Sequence, residues 1–533
     1  MSHWRMYVRS FLCGPRDSVS LQVLKLEDAL HSTLLDVRSW ANTLSPINRL
    51  PPEILSLIPT FLHHKRNRRS LIRWSQVCRH WRNVLIATPA LWTHFSCKDL
   101  SRTHAFIERS KSMPLRVRLS PQFCLQSFKA LIPHVKRFDS LRMELPASEL
   151  FDKSTPNLRK PAPLLEQLLV TVQDTDHTDD DREPPFPLLF GGKFPRLTRL
   201  TLEYVSPHPT WFNVSNLTIF QLVHTGSRGG SSSQLLRFFE QNPELEEVSI
   251  TYQGQFVDNA PPHHIVHLPC LRKLRLGDCP SKPGILHHLL LPPGVEVALR
   301  PFIPTHVIGI ASELPLRMRN PPSFLTGIDR ISFAEGSQAS VHFAGPYGTL
   351  YIRASGTTAD NDLHDLASRC IYSFEPLDVS GVRELLIENY SPTRRRSLES
   401  VQDSGIHSCL RSLPKLHTLI LVSCANATHF QALQTFDPDK DGIVCPELKH
   451  LFIDVSNSRR PEMAFPHFPF LDLLSLAETR ASLGIPLDRI TVKSVHPLFE
   501  DRDLASLLQF VATVDTIGDD RSSPSWDSRD WVN

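Results

Sequence analysis

A short unit of three spaced apolar residues recurs through most of the chain and restricts its possible folds more than any other feature. In each copy, an apolar residue is followed by two others, a second apolar residue, one other residue and a third apolar residue. The clearest copies begin at Leu165, Leu197, Leu245, Leu271, Leu416 and Leu448. Because alternating apolar residues form one face of a strand, we predict one short strand per copy, with the leading residue folded over the same core.

The spacing of these copies indicates a repeat array. Successive copies from Leu165 to Leu271, with a weaker one at Leu217, start 20 to 32 residues apart. This spacing overlaps and exceeds the leucine-rich-repeat period of about 20 to 29 residues. In all six clear copies a proline stands two residues before the leading leucine, where it ends the preceding segment without interrupting the strand. Further weak copies begin at Phe138, Ile328, Tyr347, Val382 and Leu487.

Residues 46–92 have helical spacing instead. A helix is predicted to start at Leu50-Pro51-Pro52-Glu53, because proline suits the first helical turn and an acidic residue favours the positive end of the helix dipole. The apolar residues that follow are predicted to form a stripe on a single side, and they are Ile54, Leu55, Ile58, Phe61 and Leu62. Pro59 lies inside this run and is expected to bend or fray the last turn.

A second helical block follows the first. Its apolar residues are mostly three or four apart, and they are Leu71, Trp74, Val77, Cys78, Trp81 and Leu85. The two blocks predict a helical hairpin with an apolar face that needs a partner, either another protein or a larger core of the same chain. Before the hairpin, residues 19–45 have the pattern of a lead-in helix, which we expect to pack on it.

Three elements of this stretch occur in an order that resembles an F-box domain. They are the leading Leu-Pro-x-Glu-Ile-Leu, the internal Val77-Cys78-Arg79-His80-Trp81 and the closing Leu91-Trp92. The resemblance implies a three-helix module that docks on a Skp-family adaptor and, through it, on a cullin. It also implies which residues form the adaptor-binding surface and its support, and these are Ile47, Leu50, Pro51, Ile54, Leu55, Ile58, Val77, Cys78 and Trp81.

The order of F-box and repeats resembles that of fungal F-box proteins with irregular leucine-rich repeats. The implied fold is a three-helix module followed by an α/β solenoid, a leucine-rich-repeat horseshoe. The expected organisation is an N-terminal tail at 1–18, a lead-in helix at 19–45, the F-box at 46–96, the solenoid at 97–517 and a disordered tail at 518–533. Segments 174–187, 226–233 and 391–404 are predicted loops or insertions.

Composition excludes several classes of function. A formal charge of +3 over 533 residues gives no electrostatic reason to expect nucleic acid as a partner. Ten cysteines without a CxxC pair do not indicate a disulfide framework, so we expect a reduced protein of the cytoplasm or nucleus. The start of the chain does not resemble a signal peptide, and no run of 18 apolar residues predicts a membrane span.

Two clusters could bind metal ions. Residues 437–442 match the first half of a calcium loop, but position 12 is Leu448 where a glutamate is needed. His263, His264, His267 and Cys270 could bind zinc, although no second pair stands at suitable spacing. We favour a solvated turn and a connector with surface histidines, and we therefore expect no metal and no other cofactor.

The sequence contains no GxSxG motif and no P-loop, so neither of these catalytic motifs indicates an enzyme. We expect a non-catalytic substrate-recognition subunit of a ubiquitin ligase, with the repeats binding an unknown target protein. One alternative is a repeat scaffold that has lost its coupling to the ligase. A weaker alternative is a hydrolase within residues 280–410, where the repeats are faintest.

Overall fold

The structure is a computed structural model that describes residues 16–63, 70–120, 125–146, 158, 160–173, 186, 189–205, 207, 209–225, 231–252, 264–277, 284–300, 326–335, 339–354, 379–389, 409–425, 427–434, 436–437, 442–455, 468–494 and 498–518. The predicted tails and the three predicted loop segments lie mainly outside these residues. The chain forms two compact units. The first contains the described residues among 16–145, 153–167 and 193–195, and the second contains the other described residues.

The first unit is mainly helical. Its helices are α1 Arg16–Leu44, α2 Pro52–His63, α3 Ser70–Trp74, α4 Arg79–Ile86, α5 Leu100–Arg109 and α6 Leu125–Leu131, with 3₁₀ turns at Pro46–Arg49, Pro89–Trp92 and Ile132–Arg137. Its strands are β1 His94–Ser96, β2 Leu115–Leu119 and β3 Phe138–Pro146. The three strands are parallel, and the buried residues Phe95, Val117 and Leu141 lie opposite one another.

The second unit is a large, mostly parallel sheet with helices, an α/β arrangement. Its strands are β4 Gln167–Gln173, β5 Arg199–Glu203, β6 Ile219–Thr225, β7 Glu247–Tyr252, β8 Val266–His267, β9 Lys273–Gly277, β10 Leu289–Leu290, β11 Val295–Arg300, β12 Arg330–Glu335, β13 Ala339–Gly345, β14 Gly348–Ala354, β15 Glu384–Asn389, β16 Thr418–Val422, β17 Phe436–Asp437, β18 Gly442–Ile443, β19 His450–Asp454, β20 Arg489–Lys493 and β21 Thr513–Ile517. Its helices are α7 Ser232–Glu240, α8 Ala427–Gln434, α9 Phe470–Ser482 and α10 Asp501–Leu507, with 3₁₀ turns at Leu189–Gly192, Pro209–Asn213 and Gly284–His288.

The parallel strands of this sheet form two runs, and within each run they pair in increasing chain order. One run is β5–β6–β7–β9–β11–β14 and another is β12–β15–β16–β19–β20–β21. Corresponding apolar positions meet in buried columns, such as Leu200, Phe220, Val248, Leu274 and Val297. The second apolar position of successive copies therefore lies in one continuous interior.

All three apolar positions of the six clear copies are buried, including the leading residue. The turn before the strand is also the same in five of them. In each, the leading leucine donates its N–H to the carbonyl three residues earlier, at Leu165–Ala162, Leu245–Asn242, Leu271–Leu268, Leu416–Leu413 and Leu448–Cys445, with distances of 3.1 to 3.3 Å. Proline is the second residue of each of these turns, where its fixed φ is favourable.

One hairpin departs from the parallel order. Strands β12, β13 and β14 pair antiparallel, so β13 reverses direction between its neighbours. The connection after β13 requires glycine, because a Cβ atom at Gly345 would lie 2.9 Å from the carbonyl oxygen of Gly327. The weak copies at Ile328 and Tyr347 supply β12 and β14, and the insertion of β13 between them was not predicted.

Helix α1 begins at Arg16 and ends at Leu44, close to the predicted bounds. It contacts the 3₁₀ turn Pro46–Arg49 that follows it. It is also bonded to the module through Asn48 and Asn42, but most of its large apolar side chains are exposed.

Candidate functional site

The helical module is residues 46–96, which contain α2, α3, α4 and the two flanking 3₁₀ turns. Helix α2 starts at Pro52, as the Pro-Pro-Glu sequence predicts, and the N–H of Leu55 donates to the carbonyl of Pro51 at 3.0 Å. The helix continues through the buried Pro59 to His63 instead of fraying there. Helix α2 contacts both α3 and α4, which gives the predicted hairpin.

The module has a small core of its own. Its buried side chains include Leu55, Leu71, Trp81, Val84, Leu85, Leu91 and Trp92. The indole N–H of Trp92 donates to the carbonyl of Leu85 at 2.8 Å, and its ring meets the edge of Phe106 at 5.0 Å between centroids. The closing Leu-Trp pair of the motif therefore anchors the module to helix α5.

Trp81 fixes the turn that carries Ile47. Its indole N–H donates to Oδ1 of Asn48 at 2.6 Å, and Nδ2 of Asn48 donates to the carbonyl of Asn42 at 2.7 Å. This chain of hydrogen bonds connects α4, the 3₁₀ turn and the end of α1. Trp81 is buried, so it supports the module's surface and is not part of that surface.

The outer face of α2 is defined here as Ile54, Leu57, Ile58 and Phe61, which share one side of the helix at spacings of three and four. Ile54 and Leu57 are each 45% exposed, Phe61 is 74% exposed and Ile58 is half-buried. Leu55 lies about 100° around the helix from Ile54 and is fully buried. The expected single stripe is thus two faces, one inside the module and one open to solvent.

The other predicted site residues surround this face in the sequence and differ in burial. Ile47, Pro51 and Val77 are exposed, whereas Leu50 and Cys78 are half-buried. Leu57 was absent from the predicted apolar stripe, and Phe61 was placed in that stripe but not among the predicted adaptor-binding residues. A helical wheel drawn through Ile54 would have found both, because they lie three and seven residues after it.

Polar side chains pair with one another in the sheet region of the second unit. The hydroxyl of Thr171 donates to Glu203 at 2.8 Å, and two ion pairs join Lys449 to Asp488 at 3.6 Å and Lys493 to Asp454 at 3.4 Å. These pairs are polar and differ in character from the apolar outer face of α2.

Among the described residues, no three His, Cys, Asp or Glu side chains lie close enough together to hold a metal ion. In the predicted zinc cluster, His264 pairs with Glu240 at 2.7 Å, and His267 and Cys270 are exposed. His263 lies outside the described residues, as do Asp439 and Asp441 of the calcium loop. Asp437 and Gly442 pair across the hairpin β17–β18.

None of the described helices has both the length and the apolar character that a membrane crossing requires.

Comparison with known protein families identifies the helical module. Residues 47–98 match the F-box-like family, against predicted bounds of 46–96. F-box domains generally bind Skp-type adaptors, and F-box proteins are generally non-catalytic adaptors. The match indicates a role in ubiquitin-ligase recruitment or in another protein interaction. It covers about a tenth of the chain. No curated protein matches the chain.

Proposed function

We propose that the chain is the substrate-recognition subunit of a Skp–cullin–F-box ubiquitin ligase. The observation that carries the proposal is the exposed outer face of α2 within a module that matches the F-box-like family. Apolar side chains held on a folded helix and open to water are typical of a protein interface. The chain itself performs no chemistry in this proposal, because holding a target beside a charged conjugating enzyme raises its effective concentration.

Ile54 and Leu57 form the centre of the proposed adaptor interface, with Ile58 and Phe61 beside them on the same helical side. Ile47, Leu50, Pro51 and Val77 extend it, while Leu55, Cys78 and Trp81 support it from within or at its edge. A few central apolar residues usually contribute most of the binding free energy of such an interface. A charge placed at the centre should therefore be far more damaging than one at the periphery.

We further propose that the sheet region is an irregular leucine-rich-repeat solenoid that binds the target protein. Two observations support this: parallel strands pair in chain order within each of the two runs, and the same proline-containing turn precedes five strands. A repeat array keeps chain order because each unit packs on its neighbours, whereas a doubly wound sheet reverses order at a switch point. Fungal origin and a cytoplasmic or nuclear location remain predictions.

The test uses the full-length chain with purified Skp adaptor and cullin. We expect the wild-type chain to capture both and the Ile54→Glu variant to lose capture by on the order of 1,000-fold, since a charge would be desolvated at the interface. Leu290→Glu is the matched control, because Leu290 is 51% exposed on β10 in the second unit. Capture that survives Ile54→Glu would contradict the docking proposal.

Capture of the adaptor without the cullin would instead favour the interaction scaffold that lacks ligase coupling. The target can be sought by affinity capture from the native cell, comparing the wild-type chain with Ile54→Glu. A target whose turnover slows in cells carrying Ile54→Glu, but whose binding is unchanged, would support substrate recognition by the sheet region.

A further inference from the structure

Helix α1 has two different sides. The half-buried residues Leu35, Ser39 and Asn42 lie on one side, and Asn42 accepts the hydrogen bond from Asn48 of the module. On the other side the large apolar residues Val23, Leu30, Val37, Trp40 and Leu44 are 47 to 67% exposed. The first unit therefore does not bury the apolar residues on this second side of the helix.

These exposed residues belong to a regular seam. The seam is defined as Val23, Leu26, Leu30, Thr33, Val37, Trp40 and Leu44, whose spacings alternate between three and four. Leu26 is half-buried and the other six residues are exposed. This period of 3.5 residues is the pattern by which two helices remain in contact along their length as a coiled coil. The 29-residue helix is about 44 Å long at 1.5 Å per residue, so the seam can extend over several layers.

We propose that this seam pairs with the seam of a second copy of the chain, with the two helices antiparallel. Antiparallel packing places Trp40 opposite Val23, Leu26 opposite Val37 and Leu30 opposite Thr33 of the other copy. Each large side chain then faces a smaller one or one of similar size, which favours close packing. Parallel packing would instead place two Trp40 rings in one layer and two Thr33 side chains in another.

The residues beside the seam are compatible with self-association. In the antiparallel arrangement Glu27 lies beside Leu34 of the other copy, and Asp36 lies beside Ala29. No like charges meet, so the flanks contribute no repulsion of the kind that prevents pairing in coiled coils. Trp40 is two-thirds exposed and by itself offers on the order of 150 Å² of apolar surface toward the roughly 800 Å² per partner of a stable interface.

The first experiment measures the mass of the full-length chain in solution by light scattering at micromolar concentrations. We expect a dimer, twice the 60.5 kDa chain. Leu30→Glu and Val37→Glu should each weaken self-association by at least 100-fold. The matched controls are Leu21→Glu and Leu24→Glu, since both residues are more than half exposed on the same helix but lie off the seam.

A monomeric wild-type chain would overturn the proposal, as would equal effects of the seam and control variants. Circular dichroism establishes that the seam variants remain folded. The outcome is separable from adaptor docking, because Leu30→Glu should still capture the adaptor and Ile54→Glu should still dimerise.

The second experiment tests the antiparallel order with a short bismaleimide reagent and peptide mapping. A chain carrying both Leu26→Cys and Val37→Cys should cross-link position 26 of one copy to position 37 of the other. A chain with Leu26→Cys alone should not cross-link position 26 to itself, because the two sites would lie about 16 Å apart along the helices. A cross-link between the two copies of position 26 would overturn the antiparallel arrangement.

Discussion

The helical module and the large sheet use the same kinds of apolar residue in opposite ways. On α2, Ile54 and Leu55 are neighbours, yet one is exposed and the other is fully buried. On β16, the three consecutive residues Leu419, Ile420 and Leu421 are all buried. Strand β16 therefore buries its apolar residues within the second unit, whereas α2 leaves part of its apolar residues exposed to solvent. Exposure on a rigid element, rather than apolar content, distinguishes a docking face from a core.

The largest expected effect comes from a charge at Leu55. Because the side chain is fully buried against the module's core, Leu55→Glu should cost on the order of 4 kcal/mol and unfold α2. Ile54→Glu, one residue earlier, should leave the fold intact. Hydrogen exchange of residues 52–86 measures both variants, and equal loss of protection would contradict the division of α2 into two faces.

A cavity in the sheet should have the next largest effect. Leu419 is fully buried on β16 between Leu385 and Leu451. Leu419→Ala should therefore destabilise the second unit by about 2 to 5 kcal/mol, measured by urea denaturation. Ile54→Ala is the comparison, and we expect it to change the free energy of unfolding by less than about 0.5 kcal/mol. A similar loss of unfolding free energy in both variants would contradict the contrast between a buried sheet residue and an exposed residue of α2.

The stability of the second unit should also depend on pH through His429. This α8 side chain is buried, and burial lowers its pKa from 6.5 to about 4. The unfolded chain therefore takes up the proton first, so stability is complete above pH 6.5 and falls as the pH drops toward 4. The loss should reach about 3 kcal/mol.

His429→Gln should flatten this pH dependence in thermal unfolding between pH 7 and 4.5, whereas His450→Gln, at an exposed position on β19, should not. An unchanged pH profile in His429→Gln would assign the acid sensitivity to other groups.

The smallest effect is expected from the hydrogen bond between Trp81 and Asn48, which holds the turn that carries Ile47. Asn48→Ala removes the acceptor for the indole N–H of Trp81 and should cost about 1 kcal/mol. The turn carrying Ile47 should loosen, so adaptor capture should weaken by less than tenfold. Isothermal titration with the adaptor measures this, and a loss as large as that of Ile54→Glu would mean that Asn48 itself is at the interface.

Local patterns predicted the strands well. The apolar spacing at Leu416, Leu419 and Leu421 fits a short strand with one buried face and few other structures. The start of α2 was predictable for the same reason, since Pro51-Pro52-Glu53 combines several helix-start preferences. The two faces of α2 were not separated, because apolar residues at adjacent positions such as Ile54 and Leu55 look alike without knowledge of the core.

Long-range features were not predictable from local pattern. The antiparallel β13 depends on the close approach of Gly345 to the carbonyl of Gly327, which are 18 positions apart in the chain. The exposure of α1 likewise depends on what the rest of the unit covers. The helical period of residues 19–45 was evident, but a period alone does not distinguish an intramolecular contact from an intermolecular one.

The order of the parallel strands affects how the length of such a chain can evolve. Because each strand of the runs in the second unit bonds only to those beside it, duplicating or deleting one strand with its connecting segment would leave every other pairing register intact. Gene rearrangements could thus lengthen or shorten the surface in steps of one strand while the N-terminal module stayed the same. A single ancestral architecture could in this way acquire many different surfaces.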